Sequence, residues 1–164
     1  MDPISIRDLQ RCIDKFICWL NNYGEISFDH QTFFAGPTGR KVKSIYYLNR
    51  YIGILTVSPI IFLEAFVPAG RKLFWKKQRF PIADAHYSMG FALLEKVNNV
   101  GNYYKKAVHF LEQLIKSRSV SYKNYCWGYP FDWVTQNGKI PAGTPLITTL
   151  PYIYEAFEYV YEID

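Results

Sequence analysis

Cysteine, histidine and methionine are scarce in this 164-residue chain, with three, three and two copies respectively. An odd cysteine count argues against a disulfide framework. Cys12 and Cys18 lie six residues apart in a helical pattern, so they sit on different parts of one helix surface. They read as buried free thiols of a reducing, cytoplasmic protein. The histidines, His30, His86 and His109, are far from Cys126 in sequence, so no metal site and no cofactor is expected. The opening MDPISIRDLQRC is charged and has no apolar stretch of the signal-peptide kind.

Sequence fingerprints of common enzymes are missing too. There is no nucleophile elbow, Walker loop, dinucleotide-binding glycine pattern or metal-spaced histidine pair. Gly36–Pro37–Thr38–Gly39–Arg40 is glycine-rich but lacks the preceding strand and helix start that phosphate binding uses, and reads as a turn. The chain also lacks a long uninterrupted apolar run. Tyr51 to Val67, YIGILTVSPIIFLEAFV, is the nearest, but Arg50 and Glu64 bound its uncharged part to 13 residues. That is short of the ~20 a membrane span needs and suits a buried core helix.

What is abundant is aromatic side chains, 18% of the chain, with 14 Tyr, 12 Phe and 4 Trp. At this length one domain buries roughly 70% of the surface its unfolded chain exposes, so most rings have a core to fill. Tyr and Trp also suit the lining of a ligand cavity. The net charge is +5, with cations bunched at Arg40–Lys43 and at Arg71, Lys72, Lys76, Lys77 and Arg79. Such a patch can attract nucleic acid, anionic glycan or anionic lipid. No RNP aromatics, zinc-finger spacing or helix-turn-helix accompanies it, so it reads as a solvated loop with no nucleic-acid partner.

Apolar periodicity predicts a mainly helical domain. Ile6, Leu9, Ile13, Phe16, Ile17 and Leu20 form one face of a first helix, stopped by Asn21, Asn22 and Gly24. Glu25 to Ser44 reads as loop. A second helical region, Ser44 to Val67, is expected to break near Ser58–Pro59. Ile82 to Val97 looks apolar on more than one face. Asn98, Asn99 and Gly101 turn into an amphipathic helix, Asn102 to Ser117, and Pro151 opens a last helix, Tyr152 to Tyr161. A two-sided helix followed by a one-sided one is the alternation an α/α toroid or helical-hairpin solenoid produces. The last helix runs to Asp164 without a cap, so residues 1–164 read as one helical domain, a whole toroid or part of one, completed by self-association or by a missing C-terminal half.

Residues 122–151 read as a long loop, which in a compact domain is commonly functional. Tyr125, Trp127, Tyr129, Phe131 and Trp133 alternate there with Cys126, Gly128, Pro130 and Asp132, which would send the rings one way. A ring row beside a carboxylate suits a sugar platform or a cation site. It equally suits a plug between helices, with Asp132 capping a turn. The run CWGYPFDW, followed by IPAGTPLITTLPYIYEAFEYVYE, resembles a segment of uncharacterised bacterial proteins of the α/α-toroid superfold. That superfold includes terpenoid cyclase and prenyltransferase-like domains and the six-hairpin glycosidases, and the match covers Asn124 to Glu162. The resemblance implies a central cavity and work on polysaccharide or another polyhydroxylated ligand. The acidic D-x-D-D motif of protonating cyclases is missing.

Glycoside hydrolysis needs two carboxyl groups about 5 or 6.5–9.5 Å apart. Asp132 is one candidate, and Asp84 the second, although Asp84 also reads as a first-turn acid favoured by the helix dipole. The expected cavity is lined by Trp127, Tyr129, Trp133, Tyr87 and Asp132, with His86 and Thr144 as further ligand contacts. The sequence thus points to carbohydrate-related binding or processing. A non-catalytic helical assembly module is the alternative, and a terpenoid-type enzyme a more distant one.

Overall fold

The computed structural model describes residues 5–28, 32–70, 72, 76–98 and 102–164. His30, Arg71 and the turn residues Asn99 and Gly101 lie outside them.

The fold is mainly helical. Helix α1, Ile6–Tyr23, starts at Ser5, whose hydroxyl accepts from the Asp8 amide at 3.2 Å, and ends at Gly24 with φ +81°. Ser5 thus caps the N-terminus, and at the other end a positive-φ glycine, whose amide donates to the Leu20 carbonyl at 3.0 Å, stops the helix. Leu20 is its one buried residue, and Cys12 and Cys18 are exposed rather than buried. The amphipathic stripe is only partly covered, because Phe16 and Trp19 are each more than two-fifths exposed.

The segment read as loop is largely helical. A short turn of helix, α2 (Thr32–Ala35), runs into α3 (Pro37–Leu48), with Gly36 at the cap and Pro37 in the first turn. The glycine-rich stretch is therefore a helix start after all. Gly39 is required there for a packing reason: a Cβ would lie 2.1 Å from the Phe33 carbonyl oxygen.

The expected break at Pro59 is also displaced. Asn49 separates α3 from α4 (Arg50–Phe66), its side chain accepting from the Tyr51 and Ile52 amides at 3.0 and 3.2 Å. A capping side chain that satisfies two orphan amides makes Asn49 the stronger signal. Pro59 stays inside α4, where it costs one intrahelical hydrogen bond. Helix α4 packs on α3 at Gly53, whose Cβ would sit 2.2 Å from the Tyr46 Cα. It buries only Gly53 and Ile60, so the expectation of a buried core helix is wrong. Among the described residues no helix is long and apolar enough to cross a membrane.

The core lies in the C-terminal half. Helix α5, Pro81–Val97, packs against both α6, Tyr103–Lys116, and α7, Leu150–Tyr161. Its two-sided apolar pattern is thereby explained. Small residues let α5 and α6 approach: Ala92 and Ala107 are fully buried, and the buried Ser88 hydroxyl donates to the Ala107 carbonyl at 2.9 Å. Ala85, Leu114, Ile153 and Ala156 close the other side around Trp127. Between α6 and α7 the chain forms a hairpin of β1 (Trp133–Thr135) and β2 (Gly138–Ile140). A contact between α3 and β1 joins the α3–α4 pair to this half.

Candidate functional site

The aromatic row is real as geometry but does not form one wall. Tyr129 stacks on Phe131 at 5.4 Å with 11° between planes, and Trp133 continues the stack. Trp127 departs from it. It is 1% exposed, and its indole N–H donates to the Leu114 carbonyl at 2.6 Å. A buried indole with its one donor satisfied is a core anchor, so no ligand reaches it here, against the expectation that it lines the cavity.

The two parts of the toroid-like segment are bound to each other. The Gly143 amide donates to the Tyr129 carbonyl at 2.8 Å and the Leu146 amide to the Trp127 carbonyl at 3.3 Å. Gly128 permits that approach, since a Cβ would lie 2.0 Å from the Thr144 carbonyl oxygen. Tyr129, Trp133 and Thr144 share a cleft of only about 20 Å³, and the Thr144 hydroxyl donates to the Pro141 carbonyl. Asp132 accepts from the Ala142 amide at 3.0 Å and from Lys139 at 3.3 Å, with Arg40 at 3.5 Å. The Ala142 hydrogen bond, then Lys139 and Arg40, hold its carboxyl below the usual range. Asp132, just before β1, therefore ties the hairpin to the turn that follows β2 and to α3.

Tyr87 and His86 lie elsewhere, on a groove of about 520 Å³ between α1 and α5. Tyr87 packs against Phe16 and Phe110. The exposed His86 faces Tyr152, its Nδ1 lying 2.7 Å from the Ile82 carbonyl.

Asp84 is in the most unusual setting of any predicted residue. It is fully buried in the first turn of α5 and accepts from Arg79 Nε at 2.7 Å. Arg79 Nη1 reaches Glu25 at 2.7 Å, and the other Glu25 oxygen lies 2.7 Å from His109 Nε2. An unbroken chain of four groups results: Asp84, Arg79, Glu25, His109. Burial pushes the Asp84 carboxyl up, against the opposing pull of Arg79. Burial likewise works against the Arg79 charge, but the hydrogen bonds and charges of Asp84 and Glu25 outweigh it and raise its pKa. Among the described residues, Asp84 Oδ1 and Arg79 Nη2 are buried without a hydrogen-bond partner, and each such orphan costs about 1–3 kcal/mol.

Glu25, Arg79 and His109 line a cavity of about 650 Å³ together with Asn21, Lys106 and Phe110. Arg79 lies 5.9 Å from the Phe110 ring centroid. Asp84 stands behind Arg79 and orients it. The two predicted acids thus belong to separate ion-pair groups, Asp132 with Arg40 and Lys139, Asp84 with Arg79. Sequence reasoning missed Glu25 and took Arg79 for part of a solvated basic loop. The signal that could have found them is weak: Glu25 and Arg79 lie beside the isolated Ser27–Gln78 bridge, which pairs two segments distant in sequence. No protein-family model, curated protein or solved structure matches the chain.

Proposed function

We propose that this is a helical protein of the α/α-toroid kind that binds, and works on, a saccharide-class ligand in the cavity between α1 and α6. The observation that carries the reading is the Asp84–Arg79–Glu25–His109 chain at that cavity. A charged array with Asp84 and His109 on helices and Glu25 and Arg79 on the segments beside them, with two polar atoms unpaired among the described residues and a carboxyl pushed up by burial, is costly to stability and is the kind of arrangement found at functional sites. The paired helices and the two-sided α5 support the toroid kinship, and the resemblance of residues 124–162 supports a polyhydroxylated ligand. Arg79 and Asn21 offer donors and Glu25 acceptors to hydroxyl groups, while Lys105 and Lys106 on the same cavity favour a sugar that carries an acidic group. Any proton transfer belongs to the Glu25–His109 pair, because Asp84 does not reach the cavity. Asp84 is a positioning residue.

Titration calorimetry with neutral and acidic oligosaccharides tests this. Binding of at least one acidic member is expected, weakened about tenfold by Glu25→Gln, since a hydrogen bond involving a charged group is worth roughly 1.5–3 kcal/mol. No binding across the panel, or binding that Glu25→Gln leaves intact while Trp133→Ala abolishes it, overturns the assignment to this cavity.

A further inference from the structure

Helix α4 turns nearly its whole circumference to solvent. Gly53 meets Tyr46 of α3, and Ile60, two turns on along the same face, is buried. Opposite them, Tyr51, Leu55, Phe62 and Phe66 follow at helical spacing and are 85%, 75%, 61% and 71% exposed. An aromatic side chain has about 150–250 Å² to bury, so these three rings alone leave roughly 400 Å² in water. The largest apolar patch on an ordinary monomer is about 300–600 Å², and Leu55, Ile52 and Ile61 extend this one further.

Charge decides what would cover it. Residues 31–78 carry eight basic side chains and one acidic one, Glu64, a net +7, whereas the rest of the chain is net −2. In sequence the cations lie on both sides of the helix. Lys41 and Arg50 are exposed at or before its start, and Lys72 and Lys76 are exposed after its end. Two copies docked through α4 would bring two such cationic segments together, which is repulsive. A surface both apolar and anionic satisfies both features. At 17 residues, α4 is about 25 Å long, short of the ~30 Å hydrocarbon thickness, so it would lie in the interface. Its inner side would be covered by α3 and its outer side by acyl chains, with Lys and Arg reaching the headgroups.

We infer that the α3–α4 pair is a docking surface for an anionic lipid bilayer. The inference is independent of the saccharide reading, because none of its residues touches the Glu25 cavity.

Co-sedimentation of the full chain tests it, using vesicles of phosphatidylcholine alone and of phosphatidylcholine mixed with phosphatidylserine. Partitioning is expected to favour the mixed vesicles by about tenfold or more and to fall with salt. Phe62→Asp, and separately Leu55→Gln, should each reduce it several-fold while circular dichroism stays unchanged, both side chains being exposed. No preference for anionic vesicles overturns the inference. So does preference that both variants retain, which would leave the α4 face out of the contact. A concentration-dependent dimer in sedimentation velocity, abolished by Phe62→Asp, overturns it in favour of a second copy as the occupant.

Discussion

Two helical pairs in this molecule are built from similar apolar fractions and end in opposite states. In the α5–α6 pair, Ala92, Ala107 and Leu114 are fully buried, and a third helix, α7, closes over Leu114 with Ile153 and Ala156 and over Ala92 and Ala107 with Val160. In the α3–α4 pair, α4 is the most apolar long helix of the chain, yet it has contacts with α3 and the turn at Pro68–Gly70 and few others. The difference lies in neighbours rather than in helix chemistry. Helix α5 packs against two helices, whereas among the described residues α4 packs mainly against α3. Local sequence can state that a helix is apolar all round, but not how many elements will cover it.

The contrast predicts where substitutions hurt. Trp127→Ala should cost about 3–5 kcal/mol in denaturant unfolding, the usual loss for a large buried ring. Phe62→Ala should stay within about 0.5 kcal/mol; equal losses would mean that α4 is buried in solution. Arg79→Met comes next. It leaves the Asp84 carboxyl buried and unpaired, so about 3 kcal/mol should be lost at neutral pH. Burial already raises the Asp84 pKa, so the folded state holds the proton more tightly than the unfolded chain. Stability then falls as pH rises from the ordinary carboxyl value of 3.8 through the raised one. The Arg79→Met defect should therefore shrink in mild acid, and a pH-independent defect would show that Asp84 is not desolvated.

Gly53→Ala should cost roughly 1–3 kcal/mol, because its methyl meets the Tyr46 backbone and the two helices must part. The loss should appear as unfolding of α3–α4 ahead of α5–α7, read by circular dichroism against Trp127 fluorescence. The smallest effect belongs to Asp132→Asn, about 1 kcal/mol or less for a partly exposed ion-pair group. The Asp132 carboxyl is held below its ordinary value of 3.8, so its contribution is present above that value. It fades as pH falls through the lowered one, and thermal melts of wild type and variant should converge there.

Much of the packed half was legible. The boundaries of α1, α5, α6 and α7 follow from apolar spacing, Gly24 and Pro151, because each of these helices has a dry side facing a partner. Helix α3 was not legible, since Gly36 to Arg40 has turn composition and becomes helical only where Gly39 meets Phe33. The Asn49 break was hidden by the more conspicuous Pro59. The site divides the same way. Asp84 stood out as a first-turn acid on a two-sided helix. Its partners did not, because Glu25 and His109 are 84 residues apart and meet only through the packing of α1 beside α6. Trp127 and Asp132 were conspicuous for composition, and packing turned both to structural use.

Amide hydrogen exchange followed by mass spectrometry tests the two-region account most directly. The account predicts that peptides from α5, α6 and α7 exchange only through global unfolding, while those from 50–66 exchange far faster in aqueous buffer. Protection of residues 50–66 equal to that of α5, in a monomer without lipid, would contradict it.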